Sequence, residues 1–318
     1  GTPVNAVFGF TNMLNKLLSD TDADHIAVVF DAARKTFRSD IYPEYKAQRP
    51  PTPEELIPQF PLIREATRAF SVACVEQEGF EADDLIATYA RQAVALGARV
   101  TIVSSDKDLM QLIGDGVDMF DPMKNKPIGA DEVMVKFGVG PDKVIDVQAL
   151  CGDSTDNVPG VPGIGPKIAA QLIQDYGSLE VLLERAGEIK QPKRRETLIA
   201  HADMARLSKR LVTLETHVPV VEPLESFRVQ PPDRQKLITF LRDCNFKSIL
   251  ARIEGGGGGT ARSTPSQGNL FHVIASQAAP AEAVAAPPVS YELETSLEAL
   301  DRWIAAAHQA GRVSVDTE

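Results

Sequence analysis

The sequence predicts an α/β protein in which a mixed, mostly parallel sheet flanked by helices is followed by an all-α subdomain. Short apolar runs at residues 26–30, 71–75 and 99–103 are typical of buried strands, and they alternate with segments of helical periodicity. Such alternation is typical of parallel sheets whose strands are joined by helices. From about residue 140 the apolar positions follow helical spacing interrupted by Gly and Pro, which predicts the helical subdomain.

Apolar residues at helical spacing predict the individual helices. The candidates are residues 6–18, 54–71, 82–96, 167–176, 178–186, 193–215 and 233–251. A run of five glycines at 255–259 then opens an Ala-, Pro- and Ser-rich stretch that is typical of a flexible linker. The chain is therefore expected to contain four parts: an α/β domain at 1–139, a helical subdomain at 140–253, a linker at 254–289 and the beginning of a further domain at 290–318.

Net charge, cysteine spacing and the length of apolar runs limit the possible classes of protein. The 318-residue chain carries a net charge of −11, and its three cysteines are far apart without the C-x-x-C spacing of zinc or redox sites. No run of eighteen apolar residues is present, so we expect no membrane span and a reduced, cytoplasmic setting. A negative net charge alone disfavours nucleic acid, but divalent ions bound to an acidic cluster would reverse that charge locally.

Carboxylates concentrate at the ends of predicted strands, at helix starts and in loops. They form four groups, namely Asp31; Glu81, Asp83 and Asp84; Asp106 and Asp108; and Asp153 and Asp156. The carboxyl ends of parallel strands meet at one edge of a sheet, so these groups are expected to lie close together. Like charges repel unless cations neutralise them, and hard ions such as Mg²⁺ or Mn²⁺ prefer oxygen ligands. Together the four groups predict a site for two divalent ions.

Each acidic group also has a purely structural explanation. Residues 81–84 suit the start of a helix, where acidic side chains are favoured by the helix dipole. Residues 104–108 suit a solvated loop. The three-residue spacing of Asp153 and Asp156 fits one helical face, and an Asx-type turn explains the same residues. Only the combination of the groups favours the metal site.

The segment at residues 158–169 resembles a helix-hairpin-helix. Gly163 and Gly165 would let the backbone approach a phosphate, with Lys167 nearby and amides at the start of the next helix. The segment does not match a phosphate-binding Walker loop, because Pro166 precedes the lysine and Ile168 follows it. A plain turn between two helices stays open as an alternative.

A basic and aromatic segment follows Asp31. Cations interleaved with aromatic rings suit single-stranded nucleic acid, whose bases stack while its phosphates pair with cations. The candidate DNA-binding residues there are Arg34, Arg38, Tyr45, Lys46 and Arg49. An ordinary solvated face is the alternative. A second basic stretch at residues 190–195 could bind the backbone of duplex DNA, and an ordinary exposed helix start explains it equally well.

These motifs, in this order, resemble the 5′ nuclease family, which includes flap endonucleases and the 5′-3′ exonuclease domain of bacterial DNA polymerase I. The resemblance covers about residues 1–253, and the matching segments are residues 28–32, 42–50, 78–88, 104–112 and 152–169. It implies hydrolysis of DNA phosphodiester bonds at 5′ flaps or 5′ ends, including RNA-primed ends, with two Mg²⁺ or Mn²⁺ ions, by a monomer.

The resemblance also implies residue roles. Lys46 would position the scissile phosphate, and Tyr45, Lys46 and Arg49 match the helical arch through which a 5′ strand is threaded. Asp84 and Asp153 would support the metal site, and a K⁺ ion would assist the glycine turn. The metal ligands would be Asp31, Glu81, Asp83, Asp106, Asp108 and Asp156.

Both ends of the chain bear on this resemblance. The family's first strand carries a metal-binding Asp that is expected before Gly1, so the chain is expected to be truncated at its N-terminus. At the other end, VSVDTE with Asp316 and Glu318 resembles the first motif of a 3′-5′ exonuclease domain, as in polymerase I. Two alternatives stay open at this point: a non-catalytic module that binds flap or duplex DNA, and an unrelated PIN-like ribonuclease.

Overall fold

The computed structural model describes residues 2–255. Helices and short strands alternate up to residue 137, and helices alone follow. The strands are β1 (Ala27–Val29), β2 (Ala73–Val75), β3 (Val100–Val103), β4 (Val117–Asp121) and β5 (Lys126–Ile128). The α-helices are α1 (Asn5–Asp20), α2 (Phe37–Ile41), α3 (Gln59–Ala69), α4 (Ala82–Ala95), α5 (Ala130–Phe137), α6 (Val144–Cys151), α7 (Pro166–Tyr176), α8 (Leu179–Glu184), α9 (Pro192–Ala200), α10 (Ala202–Val212), α11 (Arg234–Asp243) and α12 (Lys247–Gly255).

The strands of the described chain form two small sheets. In the first, β1 and β2 are parallel, with Val28 opposite Cys74. In the second, β3 and β4 are parallel with Ile102 opposite Met119, and β5 is antiparallel to β4. The predicted α/β class with mixed, mostly parallel pairing is confirmed, with its strands divided between two sheets.

Two large apolar cores hold most of these elements, and two smaller clusters lie around β1 and β2 and around Tyr45 at the end of α10. The larger core joins β3, β4 and α4 to helices α5 to α9, and its centre includes the fully buried Met119, Leu150 and Leu198. The second core packs α1 and α3 against α11 and α12 around Val7 and Leu241, both fully buried. Close packing of these apolar side chains holds the ends of β1 and β3, the start of α4 and the turn after α6 in fixed positions. Most of the candidate site residues lie at these four places.

Two predicted helices are each interrupted. The candidate at residues 193–215 forms α9 and α10, which are separated at His201. The candidate at 233–251 forms α11 and α12, and Asn245 between them adopts a left-handed conformation with φ of +58°. That turn lets Phe246 enter the second core, so burial overrides the helical periodicity. The first turn of the candidate at 54–71 is also absent, because α3 begins at Gln59.

Four elements between residues 117 and 151 escaped the sequence analysis, namely β4, β5, α5 and α6. The expected domain boundaries stay predictions, and those after residue 255, together with Asp316 and Glu318, lie outside the described residues. Within residues 2–255, no helix combines the length and apolar character that crossing a bilayer requires.

Candidate active site

The start of α4 organises the first acidic group. Glu81 is the N-cap residue of this helix, and Asp84 accepts a hydrogen bond from the Glu81 backbone N–H at 3.1 Å, which is a capping box. Asp31, two residues beyond β1, accepts a hydrogen bond from the backbone N–H of Ala82 at 2.8 Å. The helix start therefore brings Asp31 and Glu81 together, and it leaves Asp83 on the same first turn.

Asp84 belongs to a buried ion pair. Arg38, whose side chain is 1% exposed, donates two hydrogen bonds to the two Asp84 oxygens at 2.7 and 2.8 Å. The same guanidinium donates to the carbonyls of Leu211 and Thr213 at the end of α10. Burial alone would lower the pKa of Arg38, but the Asp84 carboxylate raises it above its ordinary value. Arg38 thus ties α2, α4 and α10 together.

The residues after α2 reach the carboxylates directly. The Lys46 ammonium lies 2.6 Å from Glu81 Oε1 and 3.5 Å from Asp156 Oδ2, and the Arg49 guanidinium donates to Asp156 Oδ1. The Tyr45 hydroxyl donates to Glu81 at 3.2 Å and to Asp156 at 3.1 Å. Burial, followed by the negative charges of Glu81 and Asp156, raises the pKa of Tyr45, so the phenol stays protonated.

Backbone contacts hold this segment against the turn that follows α6. The Lys46 backbone N–H donates to the Asp156 carbonyl at 2.9 Å, and the Asn157 side chain donates to the Glu44 carbonyl at 2.7 Å. The Gln48 amide also donates to the carbonyls of Ser154 and Thr155. Residues 42–50 form successive turns, not the helical arch that the family resemblance implied.

The second acidic group follows β3. The backbone N–H of Asp106 donates to the Ser104 hydroxyl, and that of Asp108 donates to Asp106 Oδ1, so the loop is bent by its own side chains. The Gln148 amide on α6 donates to Asp108 at 2.6 Å. These contacts place Asp106 and Asp108 beside the turn that carries Asp153 and Asp156.

That turn settles the structural role of Asp153. Its carboxylate accepts the backbone N–H of Thr155 at 2.8 Å, which is an Asx turn, and it forms an ion pair with Lys107. Asp153 and Val158 also exchange two backbone hydrogen bonds. The one-face helical interpretation of Asp153 and Asp156 was therefore wrong, and the Asx turn that was its alternative is present.

The pKa values of two carboxyl groups at this site are raised. The pKa of Asp83 rises to about 8, first because the carboxyl is buried and then because Asp106, Glu81 and Asp31 repel its charge. The pKa of Asp108 rises to about 6 through burial and repulsion by Asp106, although the Gln148 hydrogen bond opposes this shift. Both shifts thus arise first from burial, and the neighbouring carboxylates add to them.

One narrow cleft collects most of the candidate carboxylates. Its acidic lining consists of Glu81, Asp83, Asp108, Asp153 and Asp156. Asp106 lies at its border, in an adjoining open groove with Lys107. Among residues 2–255, no three His, Cys, Asp or Glu side chains are already arranged to hold a metal ion. The carboxylates thus converge, but several of them are paired with Lys or Arg.

The glycine turn lies at the start of α7. Gly165 is the N-cap residue of that helix, Gly163 has a φ of +77°, and both are exposed, as is Lys167. A Cβ atom placed on either glycine would meet no other atom within 4 Å, so the backbone there faces open space. This is the accessibility that a phosphate contact needs.

A different pair of glycines shapes the Asp153–Asp156 turn. Gly152 and Gly160 both have positive φ angles, +69° and +62°, and a Cβ on Gly160 would overlap the backbone of Gly152. The Gly160 backbone N–H donates to the Ser208 hydroxyl on α10 at 2.9 Å. Neither glycine was singled out in the sequence, although each flanks the Asp153–Asp156 turn.

Two predicted roles need correction. Arg38 and Tyr45 were expected to bind DNA, but Arg38 is 1% exposed and Tyr45 is 7% exposed, and their polar atoms bond within the protein. Asp84 was expected to support the metal site; it is fully buried and paired with Arg38, and that expectation stays a prediction. Arg34 is exposed, as a DNA contact requires, and it donates to the Pro50 carbonyl at 2.8 Å.

Lys107 and Gln148, which contact Asp153 and Asp108, were not predicted from the sequence. Lys107 lies inside the acidic motif and was a recognisable candidate. Gln148 lies in α6, which was not predicted, so no local pattern marked it.

Comparison with known proteins identifies the family. A model described as "5'-3' exonuclease, N-terminal resolvase-like domain" matches residues 1–138, and one described as "5'-3' exonuclease, C-terminal SAM fold" matches residues 139–235. The 5'-3' exonuclease of Aquifex aeolicus is 38% identical over 254 residues, which cover 80% of this chain and 86% of that protein. The chain belongs to the 5′-3′ exonuclease family. The predicted activity class, a nuclease that hydrolyses DNA, is thereby confirmed.

Longer relatives of this 5′-3′ exonuclease are polymerases. The DNA polymerase I of Rhizobium leguminosarum is 49% identical over 375 residues, which cover 100% of this chain but 37% of that protein. The chain therefore spans little more than a third of the length of that relative. Membership of this family also removes the unrelated PIN-like ribonuclease as an alternative.

Solved structures confirm the fold. T5 5'-exonuclease with bound divalent metal ions superposes with a TM-score of 0.61 at 22% identity, covering 75% of this chain and 89% of that one. The catalytic core of Rad2 in complex with a DNA substrate gives a TM-score of 0.52 at 16% identity, covering 78% and 83%.

Proposed function

We propose that the cleft cuts DNA at 5′ flaps or 5′ ends, including RNA-primed ends, with two Mg²⁺ or Mn²⁺ ions. The observation that supports this most directly is the convergence of carboxylates from three separate chain segments on one cleft and its adjoining groove. Asp31, from a fourth segment, is hydrogen-bonded to the start of α4 beside them. A structural role for each segment does not explain why the charges meet.

The residues present fit divalent ions. All candidate ligands are carboxylate oxygens, which are the ligands that hard divalent ions prefer. Two bound ions would supply an activated water and neutralise the leaving oxygen. The proposed ligands are Asp31, Glu81, Asp83, Asp106, Asp108 and Asp156, with Asp153 held beside them by Lys107.

Lys46 and Arg49 are the proposed phosphate contacts of the cleft. Their side chains are 23% and 44% exposed, and both are bound to carboxylates that are themselves proposed ligands. An ammonium and a guanidinium also suit the non-bridging oxygens of a phosphodiester. Lys46 would orient the scissile phosphate, and exchange of its carboxylate partner for phosphate requires only a side-chain movement.

The glycine turn is the proposed contact for the duplex backbone. Gly163 and Gly165 leave backbone amides accessible, and Lys167 is exposed on the first turn of α7. A K⁺ ion at this turn is part of the same proposal. The turn lies on the chain directly after the Asp153–Asp156 turn, so a duplex bound there would present its end to the cleft.

For the whole protein, the proposal is a cytoplasmic, monomeric DNA polymerase I that removes primers in replication and acts in repair. The Rhizobium relative carries that name, and this chain corresponds to part of its length. Polymerase and 3′-5′ exonuclease activities would belong to the rest of such a protein.

A labelled 5′-flap DNA incubated with the protein and Mg²⁺ tests the proposed function. We expect cleavage near the flap junction that EDTA abolishes and that is lost in Asp106→Ala/Asp108→Ala. We expect Lys46→Ala to lower the single-turnover rate about 10²–10³-fold, as removal of one preorganised charge contact in other enzymes does, without unfolding the chain. Equal rates for Lys46→Ala and the unmodified protein would refute the role of Lys46.

A non-catalytic flap-binding module is the second candidate. The observation that favours it is that Glu81 and Asp156 already form ion pairs with Lys46 and Arg49. Binding of the flap with no cleavage in Mg²⁺ or Mn²⁺ would establish this candidate instead.

A further inference from the structure

An open groove adjoins the carboxylate cleft at Asp106. Three parts of the chain form it: the loop after β3, the last turn of α5 and the turn after α6. Its lining residues are Ser104, Ser105, Asp106, Lys107, Lys136 and Thr155. A polymer that has one phosphate in the cleft can continue into this groove, because Asp106 and Lys107 of the groove adjoin Asp108 and Asp153 of the cleft.

The two lysines of the groove differ in their partners. Lys107 forms an ion pair with Asp153 and therefore has its counter-charge within the protein. Lys136 is exposed, and within residues 2–255 its ammonium makes no ion pair or hydrogen bond. A free cation beside a strongly acidic cleft has no structural partner there, so it is available to an anionic ligand.

A structural explanation for Lys136 is incomplete. A lysine in the last turn of a helix is favoured by the helix dipole, and Lys136 is in the last turn of α5. That explains a cation at this point of the helix, but not its place in the wall of a groove that reaches Asp106. The exposed Ser105 adds a hydroxyl, which likewise makes no hydrogen bond within the described residues.

We propose that this groove binds a backbone phosphate of the DNA strand being cut, next to the scissile phosphate. The Lys136 ammonium supplies the charge, and the Ser105 hydroxyl donates a hydrogen bond. The groove contains no aromatic side chain on which a base could stack, so recognition is of the sugar-phosphate backbone and is independent of sequence. This proposal rests on the proposed DNA cleavage by the adjoining cleft.

Lys136→Ala tests the site, with Lys136→Arg as the charge-preserving variant. The matched control is Lys236→Ala, which removes an exposed lysine of α11 that is paired with Asp233. Cleavage of the labelled 5′-flap DNA is measured in single turnovers over a range of protein concentration and salt. Half-saturation and maximum rate then report binding and chemistry separately.

One lost phosphate contact predicts a defined change. Because each contact contributes a slope of about 0.9 in log affinity against log salt, we expect Lys136→Ala to raise the half-saturation concentration about eightfold at 0.1 M salt and to lower the slope by about 0.9. The maximum rate should change little, Lys136→Arg should restore both values, and Lys236→Ala should match the unmodified protein.

The outcomes separate this inference from the proposed function. If the unmodified protein cuts the flap and Lys136→Ala shows the same half-saturation and slope, the groove is not a phosphate site and the proposed function stands. If the protein binds the flap without cutting it, fluorescence anisotropy measures the affinity and salt slope of the same variants. Those values then test phosphate binding in the groove without the cleavage reaction. If it does not bind flap DNA, both proposals are wrong.

Discussion

Two sets of carboxylate–cation pairs lie side by side at the start of α4, and they differ in how far water reaches them. Arg38 and Asp84 are 1% and 0% exposed, and all four hydrogen bonds from this guanidinium end inside the protein. Lys46 and Arg49, which form ion pairs with Glu81 and Asp156, are by contrast 23% and 44% exposed. The buried pair cannot exchange its partner without breaking the fold, whereas the accessible pairs can release their cations to a phosphate.

The largest loss of stability is expected at the buried pair. Arg38→Met would leave the Asp84 charge buried without a partner, which costs about 3–5 kcal/mol in the free energy of unfolding. Urea denaturation followed by circular dichroism measures it. The double variant Arg38→Met/Asp84→Leu should lose much less stability than the single variant, because no buried charge is left unpaired.

An exposed arginine provides the control for the buried pair. Arg185 pairs with Glu188 at the surface, and Arg185→Met should leave the denaturation midpoint nearly unchanged. If Arg38→Met were as stable as Arg185→Met, Arg38 would not be the structural cation described above, and a role in binding DNA would have to be reconsidered.

Two glycines offer a second, smaller contrast: Gly160 supports the Asp153–Asp156 turn from inside the protein, and Gly163 lies in the accessible glycine turn. Alanine at Gly160 or at Gly163 must adopt a left-handed conformation, which costs about 1–2 kcal/mol. Only at Gly160 does the new methyl group also overlap backbone, that of Gly152, and such overpacking adds about 1–3 kcal/mol. Thermal unfolding should therefore rank Gly160→Ala clearly below Gly163→Ala, and equal stabilities would contradict the close approach of Gly152 and Gly160.

The features that local sequence pattern predicted correctly are the first three strands, β1 to β3, and the acidic groups that follow β1 and β3. The apolar runs before Asp31 and Asp106 form β1 and β3, and residues 81–84 start α4, because strand and helix signals lie within a few neighbouring residues. The assignment of this chain to its family also depended on contiguous motifs.

Burial at the site could not be predicted in the same way. Arg38 is covered by α10, through carbonyls more than 170 residues away, and Tyr45 is covered by the turn that carries Asp156. A basic and aromatic segment has the same pattern whether it faces solvent or lies beneath another helix. The division between supporting and accessible residues is therefore a property of tertiary packing, and Lys46 and Arg49 stay candidates where Arg38 and Tyr45 do not.

Tyr45 gives the finest test of this division. In the structure its ring is buried and its hydroxyl donates to Glu81 and Asp156, so Tyr45→Phe removes hydrogen bonds to two carboxylates. We expect a loss of about 1–3 kcal/mol in the free energy of unfolding, since hydrogen bonds to charged groups contribute on this scale. A base-stacking role predicts the reverse pattern: phenylalanine would keep the ring, and stability would not change. Parallel measurement of unfolding and of flap-DNA binding separates the two, because unchanged stability in Tyr45→Phe would place the ring outside the supporting set and return it to the DNA-binding surface.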